Sequence, residues 1–388
     1  MRITPVIRPA LAAFRMSAPR MSAPRMSAAA AGSAAARVRS SGAALRVARA
    51  LFAATAPRLL VVAAAALVGA ASGCGGGSAD GTGASPPASA AAPLASAGAA
   101  GFRAYEFETC WGSRGAGPGQ LYSPKGVAVD GDGFVYVADR GNHRVQKFTG
   151  DGGLVAVWGS KGTGEGQFRV PSRVAVGPDG TVYVADTRNH RVQAFAPDGA
   201  FLHAWGHEGD GPGAFLQPRG VAVGPDGTVY VSDERAARIQ RFTAEGRFVR
   251  AWGKLGGGEG QFRHPKDLAT ASDGRVFVAD SGNERVQVFT ADGEFVAAFG
   301  GHGEGVGAFR GPRGVAVTED GVILVSEYRG QCIEEFSPDY APLGAWGAEG
   351  DAPGRFDGPR AIALAPDGRL YVADMANHRI QCFVPVEE

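Results

Sequence analysis

Short apolar runs alternate with Asp-Gly turns along most of this chain. From Gly126 to Val129 runs one such segment, then the turn Asp130-Gly-Asp-Gly133, then a second run, Phe134 to Ala138, and a third, Arg144 to Phe148. After Thr149-Gly-Asp-Gly152 a fourth follows, Leu154 to Trp158. Runs of four or five residues rich in Val, Tyr and Phe, bounded by Asp-Gly signals, predict an antiparallel four-stranded meander. Nowhere is there a 3.6-residue pattern of helix length. The first two runs are nearly continuously apolar, so both of their faces must be covered. In a solenoid or propeller, stacked sheets do this.

The same pattern returns every 47 residues, placing an acid at Asp139, Asp186, Asp233, Asp280, Glu327 and Asp374. Trp111, Trp158, Trp205, Trp252, Phe299 and Trp346, each followed by Gly, keep that step, as do Pro124, Pro171, Pro218, Pro265, Pro312 and Pro359. No insertion breaks the register over six units. A fixed period of this size marks a repeat architecture, in which one unit cannot bury its own apolar face and needs neighbours.

Pro124-Lys-Gly-Val-Ala-Val129, Val135-Tyr-Val-Ala-Asp139 and Asn142-His-Arg144 together resemble the NHL repeat. The resemblance covers Phe107 to Phe383 and implies an all-β, six-bladed β-propeller of four-stranded antiparallel blades. Two units depart from it. Unit 3 reads Glu234-Arg-Ala-Ala-Arg238 without the Asn, and unit 5 reads Glu327-Tyr-Arg-Gly-Gln-Cys332, losing Asp, Asn and Arg together. Closure follows from the ends of the pattern. The last unit stops after its third strand, Arg379 to Phe383, while Phe107 to Trp111 is a fourth strand with no unit ahead of it. Unpaired edge strands invite aggregation, so the N-terminal strand is expected to close the ring beside Arg379 to Phe383.

Charge divides the chain unevenly. Before Asp80 there are ten Arg, no Lys and no acid, whereas from Phe102 onward 29 basic residues face 37 acidic ones, a balance of −8. Residues 1–73 read as a leader: an Arg-, Ala- and Ser-rich stretch without core-forming residues, then an apolar run, Leu59 to Ala71, of signal-peptide length. Ala71-Ser72-Gly73-Cys74 resembles the lipobox of bacterial lipoproteins, although that family prefers Leu where Ala71 stands. The resemblance implies lipidation at Cys74, with residues 74–101 as a flexible tether and 102–388 as the propeller. Plain secretion and organelle import are the competing readings of the leader.

The candidate chemistry is sparse. Asp and Asn between the second and third strands are expected to bond nearby backbone N–H groups, with Arg pairing across to a neighbour. His143, His190 and His378 recur on consecutive units, but six-fold spacing sets them on the order of 10 Å apart. Zinc needs nitrogens about 2 Å away, so no metal site is expected. Cys110 and Cys382 fall on the closing strand and its partner, a possible disulfide in an oxidising compartment, although the register places them diagonally. After each repeat proline come Lys125, Ser172, Arg219, Lys266, Arg313 and Arg360, with Arg173 following the serine. These residues begin the innermost strands, so Lys125, Arg173, Arg219, Lys266, Arg313 and Arg360 are the expected ligand-binding ring at one channel mouth, where a focused field suits an anion. In the bland alternative they pair with loop acids such as Asp267.

These features point to a non-catalytic binding or scaffold propeller, monomeric and without a cofactor, taking a protein or a small anionic ligand at a membrane surface outside the cytoplasm. The alternative is a channel-site enzyme of lyase or lactonase type, which related propellers build with zinc or calcium. Here only His264 stands near a channel mouth, and no nucleophile with a base or paired carboxylates are apparent. RNA binding, a third reading, requires phosphate-neutralising charge over a broad face, which a balance of −8 opposes.

Overall fold

The computed structural model describes residues 102–386. The leader 1–73, Cys74 and the tether 74–101 lie outside the described residues. Among the described residues twenty-four strands form six four-stranded antiparallel sheets. In blade 1 the strands are Gly126–Val129, Val135–Asp139, Arg144–Phe148 and Leu154–Trp158. These match the sequence expectation apart from a one-residue shift in the second. The first strands of adjacent blades contact one another around the whole ring, the first blade meeting the sixth. They therefore line the central channel. Among the described residues no helix is long and apolar enough to cross a membrane.

The sixth blade is made from both ends of the described chain. Tyr105–Trp111 pairs antiparallel with Arg379–Pro385, setting Trp111 opposite Ile380 and Phe107 opposite Phe383, with a bulge at Glu108. This closes the ring as the unmatched strands required.

Each apolar core lies between two blades rather than inside one. Tyr136 and Val145 of blade 1 pack with Val182, Val184 and Phe195 of blade 2, while Trp111, Ile380 and Cys382 of blade 6 pack with Val135 and Phe148 of blade 1. All five residues of Val135–Asp139 are buried because the sheets on either side cover them. Burying a large apolar side chain contributes about 1.5–3 kcal/mol, so the ring gains apolar stabilisation at every interface between blades.

Asp139 is completely buried and acts as a polar hub. It accepts from Tyr122 N at 2.8 Å, Asn142 Nδ2 at 2.8 Å, Arg144 Nε at 2.8 Å and Gln146 Nε2 at 3.1 Å. Arg144 then donates to the carbonyls of Ala116, Gly117 and Gln120. Arg144 binds the acid of its own blade and clamps the stretch that enters that blade, because a five-residue hairpin offset brings the two side chains together. Asp186, Asp280 and Asp374 repeat the arrangement with Arg191, Arg285 and Arg379. In blade 3 Arg238 keeps the clamp on its loop but lies 3.9 Å from Asp233.

Candidate functional site

The innermost strand of blades 2 to 6 carries one extra residue just after its proline. Pro171 opposes Asp186 and Val174 opposes Val184, so three steps on one strand match two on the other. Pro218, Pro265, Pro312 and Pro359 begin the same irregularity. A bulge re-aims side chains, and here it falls on the basic positions. Lys125, Arg173, Arg219, Lys266, Arg313 and Arg360 all line one cavity of about 40 Å³, together with Ser172 and Asp267. The six residues singled out in the sequence thus meet in space.

Two carboxylates answer them in part. Glu234 pairs with both Arg219 and Lys266, and lies 3.5 Å from Nδ1 of the exposed His264. Burial pushes the Glu234 carboxyl up, but Arg219 and Lys266 outweigh it and hold it down at about 2. Asp267 does not pair with adjacent Lys266 but reaches Arg173 Nε at 3.0 Å. Arg173 also donates to Val127 O at 2.9 Å and Ile362 O at 3.2 Å, tying four blades together across the channel. Burial, with Arg219 and Arg313 nearby, lowers Lys266 to about 8 against the pull of Glu234.

The remaining cations are less well matched. Arg360 lies 4.1 Å and Arg313 5.0 Å from the centre of the Tyr328 ring, a cation–π arrangement. Their Nε atoms are buried without a hydrogen-bond partner. Among the described residues the Lys125 ammonium has neither a hydrogen bond nor an ion pair. Burial, with Arg219, Arg360, Lys266 and Arg140 around it, drives its pKa well below the usual lysine range. Cations therefore exceed acids at this mouth. At the opposite end the hairpin turns place Asp130, Asp320 and Asp367 around an opening of about 630 Å³.

Glu234, Tyr328 and the Arg173–Asp267 pair were missed in the sequence. A signal existed: the position after the repeat acid reads Arg140, Thr187, Glu234, Ser281, Tyr328 and Met375, and the position after the basic one reads Gly126, Arg173, Gly220, Asp267, Gly314 and Ala361. Sites that vary where their neighbours repeat carry this ring's individuality.

The other candidates disperse. His143 Nδ1 accepts from Val170 N at 3.0 Å, His378 Nδ1 accepts from Ser123 N at 3.0 Å, and His190 Nδ1 lies 3.2 Å from Phe215 O. Each fastens its blade to the next. Among the described residues no three His, Cys, Asp or Glu side chains gather as a metal cage. The Cys110–Cys382 bridge is not made: Thr109 faces Cys382, Cys110 faces Gln381, and the Cys382 thiol donates to Glu108 Oε2 at 3.3 Å. The bulge at Glu108 fixes that register.

Comparison with known proteins agrees with this architecture. The NHL repeat family matches residues 121–148, 168–195, 215–242, 262–289 and 356–383. A 38-residue stretch is 55% identical to the E3 ubiquitin-protein ligase TRIM71 of Mus musculus, which is 10% of this chain and only 4% of that protein. Among solved structures, a protein of unknown function from Bacteroides thetaiotaomicron aligns with a TM-score of 0.58 and 20% identity over 74% of this chain and 77% of its own. A gluconolactonase from Xanthomonas campestris aligns at 0.52 and 16% over 74% and 100%. Virginiamycin B lyase from Staphylococcus aureus aligns at 0.51 and 15% over 72% and 100%. At such identities the likeness is one of fold alone. The chain therefore carries NHL repeats and folds as a six-bladed β-propeller.

Proposed function

We propose that this propeller is a non-catalytic binding module that takes an anionic group at its basic channel mouth, and that an acylated Cys74 with the tether 74–101 holds it at a membrane surface outside the cytoplasm. The observation that supports the reading is the convergence of Lys125, Arg219, Lys266, Arg313 and Arg360 on one cavity, with the Lys125 ammonium unpaired. Like charges brought together out of water repel, and a bound anion relieves several of them at once. The cavity of about 40 Å³ suits one carboxylate- or sulfate-sized head, with the rest of a ligand extending outward.

Inorganic sulfate is a suitable probe because its charge stays constant near neutral pH. Calorimetric titration should show one site whose affinity falls steeply with salt. Changing Arg313→Ala and Arg360→Ala together should weaken it roughly tenfold or more, since a charge-assisted bond contributes about 1.5–3 kcal/mol. Binding should also tighten as pH falls, because an anion favours the protonated form of Lys125. A double variant that binds sulfate as well as the parent, or that loses stability instead, makes these residues structural. For the anchor, Cys74→Ser should move the protein out of the membrane fraction, and unchanged fractionation rejects that part. A channel enzyme of lyase or lactonase type has only the shared fold in its favour.

A further inference from the structure

The guanidinium clamp is present in five blades and missing from the fifth. Arg144, Arg191, Arg238, Arg285 and Arg379 each place a cation against a carbonyl of the entering loop, and the Gln two residues on donates to the same oxygen. That oxygen belongs to Gln120, Gln167, Ala214, Gln261 and Arg355. In blade 5 the Arg is replaced by Cys332, the Gln by Glu334 and the Asn by Gly330. Every side-chain donor of the cluster has gone, and one has become a second carboxylate.

The surrounding loop keeps its shape. His302 bridges Phe309 as Arg114 bridges Leu121, and Ala308 N donates to Gly305 O at 3.2 Å as Gln120 N does to Gly117 O at 3.1 Å. Gly307 N donates to Glu334 Oε2 at 2.8 Å, where Gly119 N reaches Gln146 Oε1 at 2.9 Å. Arg310 N donates to Glu327 Oε2 at 2.8 Å. The acceptors left over are conspicuous by number. Glu327 is 2% and Glu334 3% exposed, and Glu327 Oε1 is buried with no hydrogen-bond partner. Among the described residues the Ala308 carbonyl, which accepts two bonds at the equivalent place in each other blade, accepts none. Arg310, the nearby cation, directs its guanidinium to Glu304 instead.

We propose that blade 5 binds a divalent metal ion of calcium type at the place where the other five blades hold a guanidinium, through Glu327, Glu334 and the Ala308 carbonyl. Two buried carboxylates that hold one backbone amide each and no ion pair call for a cation, and the chain supplies one at this position in every other blade. Two carboxylates and a backbone carbonyl are hard oxygen donors, the set that calcium accepts in irregular geometry with water completing the shell. Glu327 opposes Pro312 and precedes Tyr328, beside the basic mouth, and the role of the ion would be to order the Gly301 to Arg310 loop as arginine orders its counterparts.

The test is calorimetric titration and thermal melting of the whole chain, dialysed against a chelator, with calcium chloride and with zinc chloride as comparator. One calcium site and a melting temperature raised by several degrees are expected. Glu334→Gln, which restores the residue of the other blades, should weaken calcium binding at least tenfold. Cys332→Arg should abolish it and give a metal-free protein at least as stable as the parent. Should Cys332→Arg fail to fold, Glu334→Gln still decides. Absence of any calcium response, binding unchanged in both variants, a preference for zinc through Cys332, or stabilisation by acid alone would each overturn the proposal.

Discussion

Blades 1 and 5 share four strands and the same register between the second strand and the third. They differ in what lies at the end of that hairpin. Asp139 is met by four donors, whereas Glu327 is met by one backbone amide and burial raises both it and Glu334 to about 7. Blade 5 has made other attachments. Trp346 Nε1 donates to Glu335 at 2.9 Å while the indole nitrogens of Trp111, Trp158, Trp205 and Trp252 are buried without partners, and Arg103 N bonds the other Glu335 oxygen at 3.1 Å. The difference teaches that the polar hub is not what makes a blade. Apolar interfaces and ladders build the sheet, and the hub secures the loop that enters it.

The largest effect should come from removing what both blades depend on. A chain beginning at Gly112 lacks the strand Tyr105–Trp111 and should be insoluble, or melt far below one beginning at Gly101, because blade 6 loses its outer strand and the ring opens. Equal melting temperatures would contradict ring closure as the source of stability. Next in size is Arg144→Ala in blade 1, which leaves Asp139 buried without its ion pair and should cost about 3–5 kcal/mol in denaturant unfolding. Cys332→Ala in blade 5 should cost far less, and equal losses would erase the contrast. Smaller again, Trp346→Phe should destabilise more than Trp252→Phe by about 1–3 kcal/mol, because only the former strands a buried acceptor, Glu335 Oε1.

The smallest effect is one of pH. His143 and His378 accept backbone N–H bonds from the next blade, and burial, followed by nearby cations, lowers both pKa values. A histidine lowered in the fold contributes stability in full above its unfolded pKa of about 6.5 and loses it as pH falls toward the folded value. Blade 5 makes the same contact with Gln331, whose Oε1 accepts from Gly358 N at 2.7 Å and does not titrate. Protection factors of the Val170 and Ser123 amides, taken relative to their intrinsic exchange at each pH, should therefore fall below pH about 6.5 while that of Gly358 holds, and a uniform response would deny the histidines this role.

Much of the molecule was readable before its structure. The 47-residue step, the Asp-Gly turns and the strand left over at each end sufficed for six meanders and a closed ring. They sufficed because period and turn chemistry are local properties of the chain. The same step placed Lys125, Arg219, Lys266, Arg313 and Arg360 at equivalent positions, and equivalence in a ring means convergence on its axis.

What tertiary structure alone decided are the pairings between unlike positions. Arg173 and Asp267 meet across the channel from blades 2 and 4, and Glu234 chooses Arg219 and Lys266 over local partners. A repeat specifies where each blade begins but not which side chain crosses to another. That choice depends on distances of a few ångströms in a crowded, low-dielectric mouth, where one misplaced charge costs more than a whole turn signal contributes.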